Sequence, residues 1–407
     1  AAQRSLSSEN AELQAQIKHP LWRFLDLFTQ RRWAIGAMLG GLLLAVFGFA
    51  VSLHLKIGDL DPGAPELRAD SRYNRDALFM TRNYAASSDI FVVMIKTPED
   101  QCTRYASLSA VDALASRLEQ LPGVESTTSM AALSKIATVG YNEGNFKWYE
   151  LIPNDGALGA VQTRAPRELF NQGCSMLSLY VYLADHKADT LNRVVEASEK
   201  FIAEHQVPEV KFMLAAGSAG IEAATNIVVK KSMSEMLFWV YGAVSLLCLL
   251  TFRSWRATLC AMLPLMLTSI LCEALMVSLG MGVKVATLPV IALGVGIGVD
   301  YALYVLSVIL ARMRAGDTLA QAYYQALLFT GKVVLLTGMT LAVAVSTWAF
   351  SPIKFQADMG ILLAFMFLVN MLGALILLPA LAWLLLPQKV FAKKPEAKLT
   401  TELVKQR

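Results

Sequence analysis

The sequence predicts an α-helical membrane bundle that carries a separate α+β domain. Three observations predict it. Apolar residues make up 55% of the 407 residues and charged residues 17%, against roughly 45–50% and about 25% in a soluble domain. Six apolar stretches each approach the roughly 20 residues that cross a bilayer core. Between the first and the second lies a more polar segment, 54–234, long enough to be a domain in its own right. The mean hydropathy of +0.47 agrees. This composition excludes a disordered chain, a collagen-like chain and a small disulfide scaffold. The net charge of +4 is spread along the chain and forms no basic patch for nucleic acid.

The six spans are predicted at about 33–53, 235–252, 257–280, 285–311, 332–350 and 359–386. The first, WAIGAMLGGLLLAVFGFAVSL, is uncharged. A polar-rich stretch precedes it and no small-residue cleavage site follows, so it reads as an anchor and not as a signal peptide. The chain begins at Ala1 and is expected to be a piece of a longer product. Basic residues in short loops set the orientation. Arg31, Arg32, Arg253, Arg256, Arg312, Arg314, Lys332, Lys389, Lys393 and Lys394 all fall on one side if the chain crosses six times. The opposite short loops hold only Lys284 and Lys354. Residues 1–32 are therefore expected to be a cytoplasmic linker and 387–407 a cytoplasmic tail, with 54–234 outside. Residues 316–329 are predicted as an amphipathic cytoplasmic helix on the membrane surface, with Leu319, Tyr323, Ala326 and Leu327 on one side.

The outer segment reads as two βαβ-type units. In the first, Ile90–Ile95 is a β-branched and aromatic strand. Leu108, Val111, Leu114, Leu118 and Leu121 follow at helical spacing, Pro122-Gly123 ends that helix, and Val124 opens a second extended stretch. In the second, Met176–Leu183 is the strand. Asp189 is placed as N-cap of a helix bearing Leu191, Val194, Val195, Phe201 and Ile202, and Val210–Leu214 returns as a strand. Two such units predict a pair of small α+β subdomains. The poorly periodic stretch 131–172 between them is expected to be a connector, with Trp148 and Tyr149 as candidate substrate contacts. Cys248, Cys260 and Cys272 fall in or beside membrane spans and read as packing residues. Cys102 and Cys174 lie outside, where an oxidising compartment predicts a disulfide.

Chemistry concentrates in GVGIGVDY, Gly294–Tyr301, in the fourth span. Asp300 is about 15 residues from the outer end and about 11 from the inner end, or about 22 and 17 Å. A carboxylate at such depth costs about 2.5–3.5 kcal/mol on insertion scales and marks an ion or proton path. The alternative is a polar residue that only packs helices together. Gly294 and Gly298 share a face in a GxxxG spacing that admits a second helix, with Gly296 between them. No βαβ unit surrounds these glycines, so they are no dinucleotide fingerprint. Tyr301 is a candidate hydrogen-bond donor to a carboxylate. Thr337, Thr340 and Asn370 lie at comparable depth and are candidate members of one relay with Asp300, although threonine hydroxyls also bond their own helix backbone. Glu273, nearer the outer rim, is a candidate substrate contact. Walker, HExxH, CxxC and GxSxG patterns are absent, and the four histidines are scattered. Enzyme chemistry, a metal and an organic cofactor are therefore not expected, and a proton gradient is the expected energy source.

Several stretches carry a resemblance: GDLDPGAPELRADSRYNRD (Gly58–Asp76), AGSAGIEAATNIVV (Ala216–Val229), FRSWRATLCAMLP (Phe252–Pro264), ATLPVIALGVGIGVDYALY (Ala286–Tyr304) and LLTGMTLAVAVSTWAFSPIKFQADMGILLAF (Leu335–Phe365). With one helix, an outer domain and then five helices, the chain resembles one half of a resistance–nodulation–division (RND) transporter of the MMPL, or predicted-exporter, branch. That resemblance implies an outer porter-like domain and a partner half with six further helices. It places the proton site where the fourth helices of the halves meet, each giving an Asp-Tyr pair, here Asp300 and Tyr301. Residues 1–30 would be the linker from the N-terminal half of the same transporter. Multidrug pumps carry adjacent acidic residues at this place; the Asp-Tyr pair is similar to the lipid-exporting branch and implies hydrophobic or lipid-like cargo. The implied function is proton-motive-force-driven export from a bacterial inner membrane. Its partners would be membrane lipids and a periplasmic or outer-membrane protein that receives cargo. A Patched-like lipid- or sterol-sensing receptor and a non-transporting scaffold of an envelope complex are the alternatives.

Overall fold

The computed structural model describes residues 20–61, 63–84, 89–205 and 208–387. Among these residues six helices are long and apolar enough to cross a membrane: Arg31–Ser52, Gly217–Phe252, Trp255–Ser278, Leu288–Arg314, Leu319–Phe350 and Lys354–Leu385. They are called the first to sixth membrane helices below, and each overlaps a predicted span. The third, fourth and sixth form the centre of the bundle, and the first, second and fifth its rim. Lipid tails are as apolar as leucine, so close packing of small residues holds such a bundle together better than exclusion of water does. Ala257, Cys260 and Ala261 of the third helix are fully buried for this reason. The three predicted packing cysteines, Cys248, Cys260 and Cys272, are buried and free.

Two expectations about the bundle change. The helix expected on the membrane surface, Leu319–Ala326, continues through a π-helical turn at Leu327–Gly331 into Lys332–Ser346. Its apolar side is buried in the bundle core, and the buried Tyr323 hydroxyl donates to the Leu375 carbonyl. That carbonyl sits in a second π-helical turn, Gly373–Leu377, where the regular helical bonding is interrupted. The end of the expected linker is also part of the bundle: Pro20–Asp26 is helical, and Trp22, Leu25 and Phe28 join the core. Apolar side chains spaced within so short a stretch give no periodicity long enough to announce a helix. Residues 1–19 and 388–407 lie outside the described residues.

The outer domain corrects the pair of subdomains. Its strands β1 (Ile90–Lys96), β2 (Val124–Thr128), β3 (Met176–Leu183) and β4 (Lys211–Ala216) form one sheet in the order β2-β3-β1-β4. β1 pairs antiparallel with both β3 and β4, and β3 with β2. Each βαβ unit is thus split, with a strand of the other unit inserted between its own two. A two-stranded sheet is at best marginally stable in water, so two units sharing one sheet is the stabler arrangement. The inward residues Phe91, Val93, Ile95, Leu177, Leu179, Val181 and Leu183 are buried together with Leu108, Leu114 and Leu118 of the Tyr105–Glu119 helix and Leu191 and Phe201 of the Ala188–Glu204 helix. Asp189 lies in the first turn of that second helix, after an N-cap at Lys187, and pairs with Lys56. The expected connector holds two helices of its own, Met130–Tyr141 and Asp155–Gln162. Cys102 and Cys174 are disulfide-bonded.

β4 passes directly into the second membrane helix. Gly217 makes the corner at φ +76°, and a Cβ there would lie 2.3 Å from the Ile90 carbonyl oxygen. Only glycine tolerates both conditions. The helix then runs 36 residues without a break, about 54 Å at 1.5 Å per residue, well beyond a bilayer core of about 30 Å. Its first turns stand in the outer domain, where Ala219 and Ala223 join the core.

Candidate functional site

Asp300 lies 12 residues after the start and 14 before the end of the Leu288–Arg314 helix, about 18 and 21 Å along its axis. That helix has two contrasting faces. On one, Gly294 and Gly298 are buried, and a Cβ on either would meet Met366 or Asn370 of the sixth helix at 2.3 Å. Asn370 is buried in this groove, and its Nδ2 donates to the Gly294 carbonyl at 2.8 Å. On the other face Gly296 has nothing within 4 Å of its Cβ position, and one turn later Asp300 is exposed on the surface of this chain. At 100° per residue, Gly298 and Asp300 point to nearly opposite sides of the helix.

The structure therefore separates residues that the sequence grouped. Asn370 packs on the far side of the fourth helix from Asp300, so the two do not form one relay within this chain. Tyr301 turns into the core, where it is 2% exposed and its hydroxyl has no hydrogen-bond partner among the described residues. Thr337 and Thr340 are exposed on the fifth helix, and the Thr340 hydroxyl donates to its own helix at the Leu336 carbonyl, 2.7 Å away. The sixth helix packs against both the fourth and the fifth. Glu273 is partly buried on the third helix, five residues before its outer end. Trp148 and Tyr149 are exposed on the outer domain, with Lys135 Nζ 5.5 Å from the Tyr149 ring centre. These two aromatics are far along the chain from the membrane residues and no described contact joins them to the Asp300 face.

A second constellation, at the junction of domain and bundle, escaped the sequence reading. Asp59 pairs with Lys284 at 2.7 Å, with side chains 13% and 16% exposed. Asp61 pairs with Lys354, which also reaches Asp358 at 3.6 Å. Arg68 donates to the carbonyls of Ala349 and Ser351 at 2.7 and 2.8 Å. The motif Gly58–Asp76 is thus clamped onto both short outer loops of the bundle. The available signal was charge: an acidic motif opposite the two lysines that those loops contain. Beside it, buried His186 bonds Asp89 through Nδ1 at 3.0 Å, while its Nε2 and Glu222 Oε1 are buried without a partner among the described residues. Burial opposes protonation of His186. The bond to Asp89 and the charges of Asp89, Glu222 and Asp59 outweigh it, so the imidazole titrates above its ordinary value of 6.5. Among the described residues no group of three or more His, Cys, Asp or Glu side chains could hold a metal ion.

Six membrane helices, a mid-span carboxylate exposed on the bundle and a second domain clamped to that bundle define a multi-pass membrane protein. Residues 68–403 match the model of the MMPL family, and the chain belongs to that family. It is 27% identical over 219 residues to the probable transport protein MmpL9 of Mycobacterium tuberculosis, a match covering 49% of this chain and 22% of that protein. A Methanocaldococcus jannaschii protein described only as a membrane protein is 23% identical over 317 residues, 75% of this chain and 79% of its own length. A Streptomyces coelicolor membrane protein is 37% identical over 89 residues, 22% of this chain and 13% of its own. The chain is therefore a multi-pass membrane protein of the MMPL family, and the match spans less than a quarter of each of the two bacterial relatives.

Proposed function

We propose that the chain is one half of a proton-motive-force-driven exporter of hydrophobic or lipid-like substrates in a bacterial inner membrane. Asp300 is its proton-carrying group, and both ends of the chain are cytoplasmic. The observation that carries this reading is a carboxylate at mid-span on a helix face that the described residues leave uncovered. Against hydrocarbon it would cost about 2.5–3.5 kcal/mol. A second helical surface laid over Gly296 and Asp300 removes that cost, and the missing side chain at Gly296 lets it approach closely. The N-terminal half of the same transporter is the partner that fits.

Proton binding neutralises Asp300, so the packing of two halves over it differs between the two protonation states. The unbroken second membrane helix then carries that difference into the outer domain, which acts as the porter. The Asp300-Tyr301 pair supports a lipid-like cargo through its likeness to the lipid-exporting branch. A periplasmic or outer-membrane acceptor is the remaining partner of this reading, and the proton gradient takes the place of a cofactor.

The test is flux by the full-length protein in proteoliposomes, with labelled lipids and hydrophobic compounds, with and without an imposed pH gradient. Gradient-dependent flux is expected, falling to the level of empty liposomes in Asp300→Asn at an unchanged thermal midpoint. Flux retained by the variant refutes the relay. Indifference to both gradient and variant favours the lipid-sensing receptor or the scaffold.

A further inference from the structure

Between the second and third membrane helices runs an open groove that the transport reading does not use. Its volume is about 840 Å³, and Phe238, Gly242, Leu249, Trp255 and Met266 are among its lining residues. That size lies within the roughly 300–1,000 Å³ of small-molecule sites. The lining is almost wholly apolar. Of its few polar groups, the Tyr241 hydroxyl is engaged with Ser269 Oγ at 2.6 Å, and the Thr258 hydroxyl donates to the Ser254 carbonyl. The groove therefore offers hydrocarbon, with little left to hydrogen-bond.

Its length and its mouth narrow the choice of occupant. Trp255 opens the third membrane helix and Met266 lies 11 residues on, about 16 Å along the axis. That is about half of a 30 Å bilayer core, the depth of one leaflet. At the Trp255 end of the groove, Arg253 makes the left-handed turn between the two helices at φ 51°, and Arg256 holds its guanidinium 5.8 Å from the ring centre of Trp255, a lining residue. Both arginines are exposed, and the ion pairs among the described residues include neither. An apolar slot one leaflet deep, with Arg256 beside its lining residue Trp255 and Arg253 in the adjoining turn, is complementary to an acyl chain under a phosphate.

We propose that this groove is a binding site for an anionic phospholipid of the membrane, one acyl chain lying along Phe238 and Gly242 and the phosphate held at Arg253 and Arg256. Gly242 allows a clean test, because nothing lies within 4 Å of its Cβ position. A phenylalanine there starts from an open Cβ position on the groove's lining and puts its ring where the acyl chain would lie.

The full-length protein would be reconstituted in nanodiscs of equal phosphatidylglycerol and phosphatidylcholine. Retained lipids would then be counted by native mass spectrometry. Phosphatidylglycerol should be retained in preference. Arg253→Gln and Arg256→Gln should each weaken that preference about fivefold, the worth of one basic residue at an anionic surface. Gly242→Phe should release the retained lipid at an unchanged thermal midpoint. Equal retention of both lipids by the unaltered protein overturns the proposal, as does wild-type retention by Gly242→Phe. If Gly242→Phe unfolds, the exposed arginine variants decide: a lost preference supports the site and a kept preference overturns it. The readout needs no transport, so its failure is separate from failure of the exporter reading.

Discussion

In the outer domain the inward residues of β1 and β3 are covered by helices of the same chain, and Phe91, Val93, Ile95, Leu179 and Val181 are fully buried. In the membrane bundle the fourth helix buries Gly294, Gly298 and Tyr301 but leaves Gly296, Asp300 and Tyr304 on the surface. The first region closes its own core. The second is closed on one face only, and the uncovered face is the one with the mid-span charge. The difference teaches where this chain is complete. Packing inside this chain builds a scaffold, and the mid-span carboxylate is left on its surface.

The largest effect separates the two regions. The Cys102–Cys174 bond joins residues 72 apart, and the chain-entropy account values such a closure at about 4 kcal/mol. Cys102→Ser with Cys174→Ser should therefore unfold the outer domain at lower denaturant while the bundle keeps its helical circular dichroism. If the protease resistance of the outer domain and the helical signal are lost together, the two regions unfold as one unit and the contrast in self-sufficiency fails.

A smaller effect sharpens the contrast within the fourth helix. Gly298→Leu drives a side chain into Asn370 and Leu265, whose nearest atoms lie 2.3 and 2.8 Å from the Cβ position. Overpacking of this kind costs about 1–3 kcal/mol. Gly296→Leu starts from a Cβ position with nothing within 4 Å among the described residues. The thermal midpoint should fall for Gly298→Leu and hold for Gly296→Leu, while transport is lost in both. Equal midpoints would erase the distinction between a closed and an open face.

The smallest effect concerns pH at the junction. His186 in the folded state titrates above its ordinary 6.5. Its contribution is therefore fully present below about pH 6.5 and is lost as pH rises through the folded value. Thermal midpoints of the protein should decline modestly across that rise, and His186→Gln should flatten the decline. An unchanged slope in the variant would assign the pH dependence to other groups.

Local patterns made much of this legible. Six apolar runs became six membrane helices, and Met176–Leu183 became β3 at the residues expected. Asp300 lies at mid-span because depth follows from counting residues along a helix. The partners of those elements were not legible. Lys284 and Lys354 entered the reading only as charges in loops, because their carboxylates lie 225 and 293 residues away. The split sheet was missed because a strand–helix–strand succession does not say whether its two strands are neighbours. Asn370 was grouped with Asp300 on depth alone, since depth says nothing about which side of a neighbouring helix a residue approaches.

By itself, then, the sequence determined what depends on near neighbours along the chain: the spans, the strands, the flanking glycines and the height of Asp300 in the membrane. Tertiary structure alone decided the strand order, the seating of Asn370 between Gly294 and Gly298, and the face on which Asp300 is left uncovered. Periodicity records that a helix has an apolar surface. Azimuth and pairing depend on which distant segment arrives to cover it, and in a membrane helix that is apolar on every side no local pattern marks the face that will be met.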